Sequence, residues 1–282
     1  MSSRLPKIDA SDPRAPSEAV WAELSPEERA AWVDALPSEI QSAVPPEGDR
    51  HRKAKDRPLG ALEAYFQRIG RKVYLSSNLP IYYPGERMFA PDLIAVLDVD
   101  PHERDKWVVS AEGKGLDFVI EVLYRGDDRK DLEENVERYA RLGIAEYFIY
   151  DRRTNRLTGH RLPGAQALAY ERIVPQQGRW PSGILGLDLA LESDRLRLYH
   201  GTAALPDLLE LAIRGEALLA EALERVATAE RRAEEEAQRA EEQARRAEEQ
   251  ARRAEEEARR AEAAEREVAA LKTEIEQLRR SR

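Results

Sequence analysis

Two carboxylates stand inside apolar runs of this 282-residue chain. Asp92 follows Pro91 and opens the run Leu93-Ile94-Ala95-Val96-Leu97, and Glu121 interrupts Phe118-Val119-Ile120-Glu121-Val122-Leu123. Such runs predict strands, and a carboxylate on a buried strand is costly unless it is paired or binds a metal. Two of them on neighbouring strands predict a site for a hard divalent cation. Hydrolysis of a phosphodiester uses that arrangement, because the metal activates water and stabilises charge on the phosphate oxygens.

The elements that must position this pair follow from pattern. Residues 1–17 are rich in Pro, Ser and Asp and read as irregular. Ser25-Pro26-Glu27-Glu28 is a capping box that predicts a helix over 26–36. Residues 1–50 thus form a helical lead-in. Leu59, Leu62, Tyr65, Phe66 and Ile69 share one helical face, with Gly70 at the C-terminal cap, and predict a helix over 58–70. Strands are expected over 72–76, 79–83 and 89–98, then a hairpin excursion over 99–115. The mostly apolar stretch 116–123 predicts a central strand buried on both faces. Leu132, Val136, Tyr139 and Leu142 predict a helix over 130–142, ending at Gly143, and strands follow over 147–150 and 156–162. The order predicts an α/β domain, a mixed sheet flanked by helices, over residues 51–204.

Composition excludes several classes. There is no cysteine, so disulfides, thiol catalysis and thiolate metal sites are out, and a cytoplasmic location is expected. His51, His102, His160 and His200 never fall at the HxxxH spacing of a zinc site. No apolar stretch approaches ~18 residues, so no membrane span is expected, and Met1 to Lys7 lacks the apolar core of a secretory signal. A phosphate loop and a Gly-x-Ser-x-Gly elbow are absent. Asp98-x-Asp100 runs into Pro101 and does not make a calcium loop. The net charge of −9 argues against a generally basic nucleic-acid binder but leaves room for a local basic patch. Arg50 to Lys55 and Arg68 to Lys72 are the candidates for phosphate contacts, or else solvated surface.

From Leu205 the pattern is helical to the end, so 205–282 reads as a long helix or coiled coil. The unit Arg-Ala-Glu-Glu-Gln-Ala-Arg recurs with period seven, placing Ala237, Ala244, Ala251 and Ala258 at heptad position a and Ala240, Ala247, Ala254 and Ala261 at d. Glu241→Arg245, Glu248→Arg252 and Glu255→Arg259 are favourable i,i+4 pairs. Large apolar residues resume at Val268, Leu271, Ile275 and Leu278, after a register shift of three residues. An uninterrupted helix here would be about 110 Å long. An alanine seam buries little area, so two readings stand: self-association, most simply a homodimer, or a salt-laced single helix.

Over residues 55–200 the chain resembles the Uma-type restriction endonuclease family of the PD-(D/E)-x-K restriction-endonuclease-like superfamily. The matching segments are Ala90-Pro91-Asp92-Leu93, Gly115 to Leu123, Lys130-Asp131-Leu132, Glu137 to Ile144 and Glu146 to Asp151. The tyrosine helix running into Leu142-Gly143-Ile144 and Glu146-Tyr147-Phe148 is the most specific of them. The resemblance implies a restriction-endonuclease-like fold and a metal-dependent endonuclease acting on DNA. Asp92, Glu121 and the Val122 carbonyl would bind Mg²⁺, or Mn²⁺ in its place. The superfamily's lysine position, two residues after the glutamate, holds Leu123. The alternative position, four residues before the tyrosine, holds Asn135. Lys130 is then the expected catalytic lysine, with Lys114 a second choice. The resemblance leaves Glu63 open as a surface residue or a third carboxylate, Asp117 as a turn cap or a site residue, and Tyr139 as packing or chemistry. Loss of the lysine also admits a catalytically inactive module that recruits a partner through the tail.

Overall fold

Ser17 and Ser25 each cap a helix with their hydroxyl, starting α1 (Glu18–Glu23) and α2 (Pro26–Ala35), and Glu28 completes the expected box by accepting from the Ser25 N–H. A computed structural model describes residues 8–39, 48–123 and 130–280, with the side chains of 130–131, 274–276 and 278–280 outside the description. The lead-in is tied down by polar contacts to its backbone. Lys106 Nζ donates to the carbonyls of Val33 (2.8 Å) and Leu36, and the Tyr82 hydroxyl donates to Pro37 (2.7 Å).

The third helix, α3 (Asp49–Ile69), runs straight through Pro58 and ends at Gly70, whose φ of 69° is the left-handed cap. The helix therefore starts nine residues before the expected 58. Proline at position 58 resembles a first helical residue, and the stretch ahead of it is too charged to display an apolar stripe. Its first turns prove decisive for the site.

Next come β1 (Val73–Ser76), β2 (Ile81–Tyr82), β3 (Leu93–Leu97), β4 (Trp107–Val108), the single turn α4 (Val109–Glu112) and β5 (Phe118–Leu123). A π-turn over Lys130–Glu134 leads into α5 (Asn135–Arg141). The strands β6 (Glu146–Asp151), β7 (Arg156–Arg161) and β8 (Glu171–Ile173) finish a six-stranded sheet of order β1-β3-β5-β6-β7-β8. Only β5 and β6 pair in parallel, as a strand–helix–strand crossover requires. The rest are antiparallel. The excursion over 99–115 joins the antiparallel neighbours β3 and β5, as expected of a long hairpin, and carries β4, which pairs in parallel with β2.

Strand β5 is buried at all six positions and has a core on each face. Phe118, Ile120 and Val122 join α3 and a second sheet, while Val119 and Leu123 join Tyr139 and Ile144 on the α5 side. That second sheet is antiparallel, from β9 (Arg179–Ser182), β10 (Leu187–Glu192), β11 (Arg195–His200) and β12 (Ala203–Ala204). Glu146 joins the two sheets. Buried on β6, it accepts from the Ser182 hydroxyl and the Gly183 N–H (2.8 Å), with Arg161 at 3.7 Å.

Helix α6 (Leu208–Arg280) follows. The chain divides into two compact units, residues 1–212 and 213–282. In the second unit, every described side chain from Ala229 to Thr273 is exposed. It carries i,i+4 ion pairs such as Glu242–Arg246 (2.6 Å) and Glu249–Arg253 (2.7 Å). Among the described residues no helix is long and apolar enough to cross a membrane. The fold class is the expected one: a mixed sheet flanked by helices, followed by a long helix.

Candidate active site

The register of β3 on β5 brings the two carboxylates together. Leu93 faces Ile120, so the next residue pair outward is Asp92 opposite Glu121. The backbone and side chains then cross-link. The Val122 N–H donates to Asp92 Oδ2 (2.8 Å), and the Asp92 N–H donates to Glu121 Oε2 (3.1 Å). Each carboxylate thus fixes its partner's strand at the point where regular pairing stops. In an extended strand a residue's N–H and C=O leave on the same side, so the Val122 carbonyl also faces Asp92.

Helices close the site from two directions. From α5, the buried Tyr139 hydroxyl donates to Glu121 Oε1 (2.9 Å). From α3, His51 Nε2 lies 3.3 Å from Asp92 Oδ2 and Lys55 Nζ lies 3.5 Å from Asp92 Oδ1. His51 and Lys55 are one helical turn apart and share a face. Lys55 is only 3% exposed, a level almost never reached by a lysine without a charged partner.

Burial pushes the Asp92 carboxyl up, but the His51 hydrogen bond, the Val122 N–H and the charges of His51 and Lys55 together hold it below its ordinary range. Burial, and then the charge of Glu121, push the Tyr139 phenol far above its ordinary value, so it stays protonated and donates. A cavity of about 720 Å³ opens at Glu121, lined also by Asn135, Tyr139, Arg138, Arg87 and Phe89. The Arg138 guanidinium lies 4.5 Å from the centre of the Phe89 ring and donates to the Arg87 carbonyl, which holds a cation at the cavity wall.

The remaining expectations separate by position. Lys114 and Asp117 pair with each other (2.9 Å) at the Leu97 end of β3, where Asp117 accepts from the Leu97 N–H. Five residues of strand, about 17 Å, separate that end from Asp92. Glu63 is an exposed residue of α3. Lys130 begins the π-turn, and its side chain lies outside the described residues. Leu132, expected on the buried face with Tyr139, is 48% exposed. A π-turn inserts one residue into the helical phase, which breaks the expected spacing. Sequence reasoning missed His51 and Lys55 as neighbours of Asp92, having grouped them with the basic stretch 50–55. Their i,i+4 spacing was the available signal.

Among the described residues no three His, Cys, Asp or Glu side chains gather to hold an ion. Two carboxylates and a main-chain carbonyl are an all-oxygen set. That set fits Mg²⁺ or Mn²⁺, which keep several waters and take one or two carboxylates, and does not fit a structural zinc.

A mixed sheet with an acidic pair at the end of its central strands, backed by a tyrosine helix, defines a class of α/β proteins rather than one activity. The chain belongs to the Uma2 family, described as "Putative restriction endonuclease", which matches residues 32–193. No curated protein matches it. Among solved structures it is similar to "a putative nuclease belonging to DUF820" from Anabaena variabilis, at 12% identity. That match covers 50% of this chain and 76% of the other, with a TM-score of 0.39.

Proposed function

We propose that the protein is a metal-dependent endonuclease that hydrolyses phosphodiester bonds of DNA. The observation that carries this reading is the Asp92–Glu121 pair, set opposite one another on adjacent strands and cross-linked through the Val122 and Asp92 amides. Asp92, Glu121 and the Val122 carbonyl would hold Mg²⁺, or Mn²⁺. The bound ion supplies a water of lowered pKa and neutralises charge on the phosphate. The chain's own residues do the rest. Tyr139 fixes the rotamer of Glu121, and His51 and Lys55 keep Asp92 ionised and oriented. Arg138 and Arg87 at the cavity wall suit the phosphates flanking the scissile bond, and the exposed Arg50, Arg52 and Lys53 and the stretch 68–72 suit phosphates further along. Lys130 is the candidate lysine beside the attacking water. The C-terminal helix joins two chains as a homodimer, which would present two sites to two strands.

One observation favours a second reading. Leu123 and Asn135 leave both lysine positions without charge, as in a module that keeps the fold, has lost catalysis and recruits a partner through its tail.

The test is cleavage of plasmid DNA in Mg²⁺ or Mn²⁺ by the native chain, Glu121→Ala and Lys130→Ala. Cleavage by the native chain and its loss in Glu121→Ala is the expected outcome. No cleavage by a folded native chain moves the function to the recruiting module.

A further inference from the structure

Resting on the reading of Asp92 and Glu121 as the metal carboxylates, we infer that α3 supplies the positive charge beside Asp92, with Lys55 as the positioning cation and His51 as its companion. Three observations converge on it. Asp92 and Glu121 stand opposite one another across β3 and β5, and like charges at facing positions are stabilised by a cation beside them. The two lysine positions that the family resemblance points to on β5 and α5 hold Leu123, packed into the core with Tyr139, and Asn135, buried and uncharged, while Arg138 of α5 lies at the cavity wall against Phe89. The early turns of α3 fill the need from the other side, with Lys55 Nζ 3.5 Å from Asp92 Oδ1 and His51 Nε2 3.3 Å from Asp92 Oδ2.

Packing does not account for Lys55. It is as buried as its neighbours Ala54 and Pro58 on α3, and burying an ammonium with its carboxylate gains little or nothing over an apolar side chain of the same volume. A methionine would fill that space without desolvating a charge. What methionine cannot do is hold Asp92 by charge, or oppose the negative charge that builds up on a phosphate during hydrolysis. The lysine's work is thus done from the first helix through Asp92. This also gives the nine residues of α3 ahead of Pro58 a function that the apolar stripe after it does not need.

The test uses the full chain with Lys55→Met, Lys55→Arg and Lys130→Ala. Each is read by thermal unfolding, by Mn²⁺ affinity from calorimetry, and by plasmid cleavage at saturating Mn²⁺. Lys55→Met is expected to retain Mn²⁺ binding, because His51 and the Val122 N–H still hold Asp92. Its cleavage at saturation is expected to fall by about 100-fold or more, the scale of a lost electrostatic donor. Lys55→Arg keeps the charge and is expected to stay within about tenfold of native. A folded Lys55→Met that cleaves at the native rate overturns the inference. So does a folded Lys55→Arg as inactive as Glu121→Ala, which decides the matter if the methionine variant does not fold. Full loss in Lys130→Ala with native activity in Lys55→Met assigns the charge to the π-turn instead. A native chain that neither binds Mn²⁺ nor cleaves overturns the metal-site reading itself, and this inference with it.

Discussion

Glu121 is held by its surroundings rather than by its own strand. A carboxylate on the central strand of a sheet is tolerated because Tyr139 and the Asp92 amide occupy its two oxygens. Tyr139→Phe removes one buried, charge-assisted bond and no volume. It is expected to cost about 1–3 kcal/mol in urea unfolding while leaving the far-ultraviolet circular dichroism unchanged. His160 gives a second expectation at this scale. Burial, and then the charge of Arg172, push it down to about 4 from 6.5. The unfolded chain therefore binds a proton that the folded chain refuses between those two values. The stability due to neutral His160 is complete above pH 6.5, falls as the pH drops towards 4, and is flat below. The difference in unfolding free energy between the native chain and His160→Phe should change with pH only in that window. A pH-independent difference would mean that His160 titrates alike in both states.

At the scale of elements, legibility followed how cleanly one pattern dominated. The central strand β5, the capping box at Ser25 and the glycine cap at Gly70 could all be read, since each is a short-range signal with its own steric cause. The carboxylate pair could be read for the same reason: charge in an apolar run is conspicuous. The first turns of α3 could not, because Lys55 fills a buried position there, and a charge at that position erases the stripe that would announce a helix. Leu132 was misplaced because a π-turn is a local change of phase that no 3.6-residue periodicity encodes. The β9–β12 sheet was not delineated, because β9 and β12 are short and the apolar residues of β10 and β11 are interrupted by Asp188, Glu192, Arg195 and Arg197. One element-scale prediction concerns the pairing of β6 with β7. Gly159 lies opposite Phe148, and a Cβ there would stand 2.7 Å from the Phe148 ring and 3.2 Å from Ile173 Cβ. Phe148 is fully buried and cannot swing aside. Gly159→Ala is expected to destabilise the fold by about 1–3 kcal/mol, read as a lowered midpoint of thermal unfolding.

At the scale of the whole molecule, the proposed dimer should be parallel. Position e of the repeat is Glu241, Glu248, Glu255 and Glu262, and position g is Gln243, Gln250 and Glu257. Antiparallel chains would set the glutamate row against itself, whereas parallel chains set it mostly against glutamine. The chain has no cysteine of its own, so Val268→Cys gives a clean reporter. Under oxidising conditions it should form a disulfide-linked dimer in high yield if the chains are parallel and in register. In sedimentation equilibrium Leu271→Glu, at a side chain 51% exposed in the single chain, should shift the native dimer towards monomer. A native chain that is monomeric at micromolar concentration would leave the single salt-laced helix. The repeat also governs how this tail can be inherited. Between Ala237 and Ala261 all side chains are exposed, and the alanine stripes at a and d and the glutamate stripe at e recur after seven residues. A heptad gained or lost by slippage during replication keeps all stripes in phase and changes the reach by about 10 Å. Length can thus drift between lineages in fixed steps, a spacer adjusted by whole units while the chemistry along it stays the same.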